Sequence, residues 1–240
     1  MKIGFRVDAD SKIGVGHLKR CLSLASQIQK KKKKIKIFFL IKKTSNNFYS
    51  LIKKYSFHYF LLSKSIYNSS ETISILKKNK INTLVIDHYK IDNRWEKKVK
   101  KNLKYLISID DLNRRHFSDY LFKQNLNNKK IKISKFCKTL SGKNFFILDD
   151  KYLNLKKKKI NKNKISFLIN FGSYDIKNLT CQLLIFLLNK FPEHKVNVVV
   201  EKNFRFFREL NKIKNKNIKT YKNLKTLANI TNRSDVCFGA

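Results

Sequence analysis

Asp8-Ala9-Asp10-Ser11-Lys12-Ile13-Gly14-Val15-Gly16-His17-Leu18-Lys19-Arg20 lies between two different periodicities. Before it, Ile3-Gly4-Phe5-Arg6-Val7 alternates as a strand does. After it, Leu18, Cys21, Leu22, Ala25 and Ile28 recur on one helical face. The order is therefore strand, glycine-bearing loop, helix. Gly14 and Gly16 let backbone approach a ligand closely, and the free amides at the start of the helix favour phosphate or carboxylate. His17 stands at the mouth of such an anion site, with a side chain that titrates near neutrality. The spacing alone is equally compatible with an ordinary tight turn and a capping or surface histidine.

Working outward, strand and helix keep alternating. Ile35 to Ile41 reads as a second strand, and Asn46 to Tyr55 as a helix with Phe48, Leu51, Ile52 and Tyr55 inward. Tyr59 to Leu62 is a short strand, followed by a helix around Glu71 to Lys78 with Ile73 and Leu76 inward. Thr83-Leu84-Val85-Ile86 leads to Asp87-His88-Tyr89. A helix then surrounds Trp95 and Val99, and Tyr105 to Ile109 leads to Asp110-Asp111. This is the signature of a parallel sheet with helices on its faces. Three strands thus carry polar residues at their C-terminal ends, the edge where open α/β sheets bind ligands. Each alone would pass for a turn or a cap; together they point at one rim.

From Lys123 to Lys164 the chain is lysine-rich and weakly patterned apart from Phe145-Phe146-Ile147-Leu148, and reads as an edge strand plus linker. The expected organisation is an N-terminal Rossmann-like domain over 1–150, a linker over 151–164 and a partial second domain over 165–240. In the second, Ile165 to Phe171 runs into Gly172-Ser173-Tyr174-Asp175-Ile176-Lys177-Asn178-Leu179-Thr180 and a helix ending before Pro192, a second candidate phosphate cradle. Val196 to Val200, a helix over Phe204 to Lys212, Ile218 to Tyr221, Leu224 to Ile230 and Val236 to Phe238 continue the alternation. A strand followed at once by Gly239-Ala240 leads us to expect that the sequence is incomplete there.

Lys and Arg number 55 against 16 Asp and Glu, a formal charge of +39, which at face value points to nucleic acid or an anionic membrane. Only eight of the basic residues are Arg, however, and Lys, Asn and Ile are plentiful while Gly (6) and Pro (1) are scarce. That bias is what A/T-rich codons produce without a selected partner. The lysines are also spread along the chain rather than clustered with aromatic platforms, so no specific nucleic acid is expected. Cys21, Cys137, Cys181 and Cys237 form no Cys-x-x-Cys pair, so neither zinc nor a disulfide framework is expected. No apolar run reaches a bilayer span. A cytoplasmic protein that is monomeric and not bound to membranes is the expectation.

Phe5-Arg6-Val7-Asp8 with Ile13-Gly14-Val15-Gly16-His17 and Arg20-Cys21-Leu22 resembles the opening signature of the UDP-2,4-diacetamido-2,4,6-trideoxy-beta-L-altropyranose hydrolases of pseudaminic acid biosynthesis. Val85 to Tyr89, Ser108 to Asp111 and Phe171 to Thr180 match further segments of that family in order. The resemblance implies a glycosyltransferase-B-like α/β fold of two Rossmann-like domains with parallel sheets, the second incomplete, and substrate between them. It implies hydrolysis at the anomeric carbon with inversion, releasing UDP and the free sugar. His17 would be the general base, with no metal and no cofactor. Arg6, Asp8, Gly14, Gly16, Arg20, Asp87, His88, Tyr89, Asp110, Gly172, Ser173, Asp175 and Asn178 are the corresponding substrate-binding candidates. Two departures stand out: Ser173 replaces a glycine, and Asp149 an arginine. The family continues past Ala240 with a Gly/Ser loop and an acidic residue at the uridine diphosphate. Transfer of the sugar to an acceptor hydroxyl, or nucleic-acid binding, are the competing readings.

Overall fold

Eleven strands and eight α-helices alternate along the residues described by the computed structural model: 1–10, 14–44, 48–63, 65–112, 114–125, 137–153, 155–156, 164–172, 175–224 and 226–239. The chain divides into two units, Met1–Asp150 and Lys151–Ala240. In the first, β1 (Lys2–Val7), α1 (Gly16–Lys31), β2 (Lys36–Lys42), α2 (Tyr49–Lys54), β3 (His58–Leu62) and α3 (Ser70–Lys78) come first. They are followed by β4 (Thr83–Asp87), α4 (Asn93–Lys100), β5 (Tyr105–Asp110), β6 (Tyr120–Lys123) and β7 (Lys138–Leu140). The strands form a parallel sheet in the order β3-β2-β1-β4-β5-β6-β7.

The buried runs of β1 and β2 explain why these strands are central. Phe5, Phe39, Leu40 and Val7 are sealed from solvent, and the Phe5 and Phe39 rings stack 5.1 Å apart. A strand covered on both faces reads as continuous rather than alternating apolar sequence, which is what Ile37 to Ile41 supplies. One face of the sheet is covered by α1 through Leu18, Cys21, Leu22 and Ala25, with Ile52 of α2 in the same core. The other is covered by α3 and α4 through Leu76, Trp95 and Val99 against Leu84, Ile86 and Leu106. At roughly 1.5–3 kcal/mol per buried large side chain, the first of these layers anchors α1, and with it His17, to the sheet.

The second unit starts with the short α5 (Asp150–Leu153), which straddles the boundary. It continues through β8 (Ser166–Asn170), α6 (Leu179–Lys190), β9 (Lys195–Val200), α7 (Phe207–Lys212), β10 (Ile218–Lys222), α8 (Ala228–Arg233) and β11 (Val236–Gly239). Its sheet is parallel, β10-β9-β8-β11. The core packs Leu184 and Leu187 of α6 on Phe167, Ile169, Val196 and Val198.

Several expectations shift. Tyr55 is not inward: it follows the last turn of α2, is exposed, and stacks on Phe57 at 6.0 Å. The edge strand is β7 at Lys138–Leu140, whereas Phe145 closes a short 3-10 turn and Phe146 to Leu148 lie outside any strand. In the second unit helix begins at Phe207 rather than Phe204, and at Ala228 rather than Leu224. Asn46 and much of Lys123 to Lys164 lie outside the described residues. No helix among the described residues is long and apolar enough to cross a membrane.

Candidate active site at the β1 and β4 strand ends

The sheet order of the first unit reverses between β1 and β4: the chain first adds strands on one side of β1, then on the other. Loops leaving the two strands separate there and open a crevice at the C-terminal edge. Asp8 follows β1, Asp87 ends β4 and Asp110 ends β5, so the strand-end carboxylates fall on that edge.

The β1–α1 loop turns on Gly14, whose φ of +76° suits glycine; a Cβ there would meet no atom, so the backbone angle selects the residue. Its N–H donates to the Asp10 carbonyl at 2.8 Å. That amide is therefore already paired within the loop. α1 begins at Gly16, beside which space is open, and Val15 before it offers no side-chain cap. The amides of the first turn thus lack a side-chain partner from the capping residue.

His17, in the first turn of α1, turns inward and is 8% exposed. Its Nδ1 lies 2.6 Å from Asp87 Oδ1. Arg20, one turn further along, donates to the same carboxylate from Nε to Oδ2 and from Nη2 to Oδ1, both at 2.7 Å. Burial alone would raise the Asp87 carboxyl, but the hydrogen bonds from His17 and Arg20 outweigh it and hold the group below the usual carboxylate range. An ionised Asp87 that only accepts requires the proton of a neutral His17 to sit on Nδ1, leaving the lone pair on Nε2. Cys21 Sγ, 3.7 Å from Asp87 Oδ2, completes the ring of donors, and burial pushes its thiol up. The Tyr89 ring stands edge-on to His17 with centroids 4.4 Å apart, and its hydroxyl donates to Asp111 Oδ2 at 2.9 Å. Burial and that acceptor push the Tyr89 phenol up to about 12, so it stays protonated at neutral pH.

A second histidine–aspartate pair sits beside the first and is wired differently. His88 Nε2 lies 3.1 Å from Asp8 Oδ2, while His88 Nδ1 accepts the Lys90 N–H at 3.0 Å. With Nδ1 accepting, the proton of a neutral His88 sits on Nε2, facing Asp8, so His88 has no free lone pair to offer. Asp8 also takes the Arg6 guanidinium on both oxygens and the Lys42 N–H at 2.7 Å. Burial raises its carboxyl, yet His88 and Arg6 together hold it well below the usual range. Arg6 is 2% exposed, Asp8 3%, Asp87 1% and Asp110 1%. These four are buried, each with partners supplied by the protein. Arg20 likewise serves Asp87.

Asp110 belongs to a third cluster that the sequence reading did not single out. Arg114 donates to its Oδ1 from Nη2 at 2.7 Å, and His116 Nε2 lies 3.2 Å from its Oδ2. His116 Nδ1 meets Glu96 Oε1 at 2.8 Å, which also accepts the Ser108 hydroxyl at 2.7 Å. Burial works against charge on His116, but Asp110 and Glu96 prevail and push it up to about 9. The only sequence signal was the four-residue spacing from Asp110 to Arg114.

In the second unit Gly172 has φ +76°, and Ser173 lies outside the described residues. Asp175 accepts the N–H groups of Leu179 at 2.8 Å and Thr180 at 2.7 Å, capping α6 from within. A carboxylate thus caps the helix at the loop read as a phosphate cradle. Asn178, before α6, is left-handed at φ 53°. The four cysteines are free, and no cluster of three or more His, Cys, Asp or Glu suited to a metal occurs among the described residues.

No family model matches the chain. It is 29% identical over 259 residues to an uncharacterised protein of Methanocaldococcus jannaschii, covering 98% of this chain and 51% of that protein. It is 29% identical over 245 residues to the UDP-2,4-diacetamido-2,4,6-trideoxy-beta-L-altropyranose hydrolase of Campylobacter jejuni, covering 98% of this chain and 83% of the other. The chain therefore spans about half the length of the first relative. Among solved structures, MurG of Acinetobacter baumannii matches with a TM-score of 0.65 at 11% identity, over 100% of this chain and 73% of that one. The UDP-GlcNAc 2-epimerase of Neisseria meningitidis, bound to UDP-GlcNAc, matches at 0.56 and 10%, over 100% and 77%. These likenesses place the α/β architecture, with its two parallel sheets, among the glycosyltransferase-B-like folds.

Proposed function

From the resemblance of this chain to the Campylobacter jejuni hydrolase, we propose that it hydrolyses a UDP-linked sugar, with His17 as general base. The observation that carries the reading is the His17–Asp87–Arg20 arrangement at the point where the sheet order reverses. Asp87 holds the imidazole in the tautomer whose Nε2 accepts a proton, and stabilises the imidazolium that forms. Arg20 keeps Asp87 ionised. Water attacks the anomeric carbon while His17 Nε2 takes its proton, and the carbon–oxygen bond to the diphosphate breaks with its electron pair leaving on UDP. Attack opposite the leaving group inverts the centre. The N-terminus of α1, where Val15 supplies no side-chain cap, is suited to the charge of the diphosphate.

Within this reading the substrate is a 2,4-diacetamido-2,4,6-trideoxy sugar, released free for pseudaminic acid synthesis. The enzyme works in the cytoplasm as a monomer, without metal or cofactor. The test is UDP release from the UDP-sugar together with free sugar in the absence of any acceptor. UDP release only when an acceptor is added would assign transfer instead, and no turnover of any UDP-sugar would defeat the proposal.

A further inference from the structure

The β4–α4 loop, which carries His88 and Tyr89, has little backbone bonding of its own: among the described residues the Ile91 N–H reaches the His88 carbonyl at 3.4 Å. What orients its carbonyls is a side chain from another loop. Arg114 Nη1 donates to the carbonyls of Tyr89 and of Ile91, the latter at 3.1 Å, and Nη2 approaches the His88 carbonyl at 3.4 Å. The other edge of the guanidinium is fixed on Asp110 through Nη2 at 2.7 Å and Nε at 3.2 Å. Asp110 is held in turn by His116, and His116 by Glu96, whose Oε2 accepts the Phe117 N–H. Glu96 lies on α4, the helix that follows the loop, so the chain of contacts closes on the element it steadies. Charges alternate along it: Arg114 positive, Asp110 negative, His116 positive, Glu96 negative.

We infer that Arg114 is a positioning residue: by gripping the carbonyls of residues 88, 89 and 91 it holds the Tyr89 ring against His17, and thereby fixes the orientation of the imidazole. Its contacts are those carbonyls, the Asp110 carboxylate and the face of the Tyr89 ring, 6.0 Å from Cζ to the centroid. A planar, multidentate donor is needed, because an ammonium cannot span three carbonyls and a carboxylate at once. The step from loop to ring is short: Tyr89 stands 4.4 Å from His17, centroid to centroid, and its hydroxyl is tied to Asp111. This inference rests on the proposed general base for its catalytic meaning, but not for its structural content.

The test therefore has two readouts on the full chain. In NMR spectra, the imidazole protons of His17 carry the ring-current shift of Tyr89, which Tyr89→Leu removes. Arg114→Gln is expected to move those signals by at least half as much while the protein remains folded; unchanged signals would overturn the inference. If Arg114→Gln does not fold, Arg114→Lys is read in its place, with a partial shift expected and unchanged signals again overturning it. In turnover, Arg114→Gln should lower kcat about tenfold or more with KM within about twofold, and Arg114→Lys should recover part of the loss. A fall confined to KM would contradict positioning. Should His17→Asn keep its full turnover, the general base fails, yet the NMR readout still decides what Arg114 does.

Discussion

The chain makes the same local turn twice, once from β1 into α1 and once from β8 into α6, and completes it differently. Both turns contain a glycine at φ +76° and lead to a helix N-terminus. At α6 the local carboxylate, Asp175, folds back onto the amides of Leu179 and Thr180. At α1 the residue before the helix, Val15, makes no side-chain cap, and Asp87, from a strand 70 residues away, faces His17. A helix end capped from within by a carboxylate is stable and closed to anions. A glycine-bearing loop before a helix does not by itself make a site; what decides is where the nearest carboxylate is directed.

The contrast can be broken most sharply at His17. His17→Asn should lower turnover of the UDP-sugar by at least about a hundredfold, the scale of a lost general base, as measured by UDP release. Turnover close to wild type would reduce the α1 turn to the status of the α6 turn. Asp87→Asn should also cost turnover heavily, about tenfold to a hundredfold, because an amide no longer dictates which imidazole nitrogen carries the proton. Nitrogen NMR of the His17 ring checks the tautomer directly.

Next in size is a pH effect in the first unit. His116, raised from 6.5 to about 9 in the folded chain, contributes stability that is fully present below pH 6.5 and lost as pH rises through 9. Folding free energy should therefore decline between those limits by at most about 1.4 kcal/mol per pH unit, and His116→Gln should flatten the slope. Equal slopes in denaturant titrations of the two proteins would contradict it. The smallest effect belongs to α6: Asp175→Ala should cost about 1 kcal/mol in the second unit, the usual worth of a helix cap. A loss of turnover far beyond that loss of stability would return Asp175 to the ligand-binding role first read for it.

Much of this was legible in advance. The alternation of Ile3 to Val7, the helical spacing from Leu18 to Ile28 and the carboxylates at the strand ends place His17, Asp87 and Asp110 near one rim without coordinates. What the sequence did not show was burial. Arg6, Asp8 and Asp110 look like ligand groups because they are charged and lie beside loops, but each is buried with its partners supplied by the protein. Arg114 escaped notice for a related reason: most of its acceptors are main-chain carbonyls of residues 88, 89 and 91, and carbonyls leave no trace in residue identity.

Sequence by itself determined the periodicities, and so the strands, the helices and which polar residues end each strand. Those depend on neighbours within a few positions, where burial of an apolar face dictates the local period. Only the tertiary structure decided that β4 lies against β1, which brings Asp87 to His17 while His88 falls to Asp8. Strand order is set by how whole layers pack, a cooperative choice among distant segments, and the pairing of side chains at the strand ends follows from it.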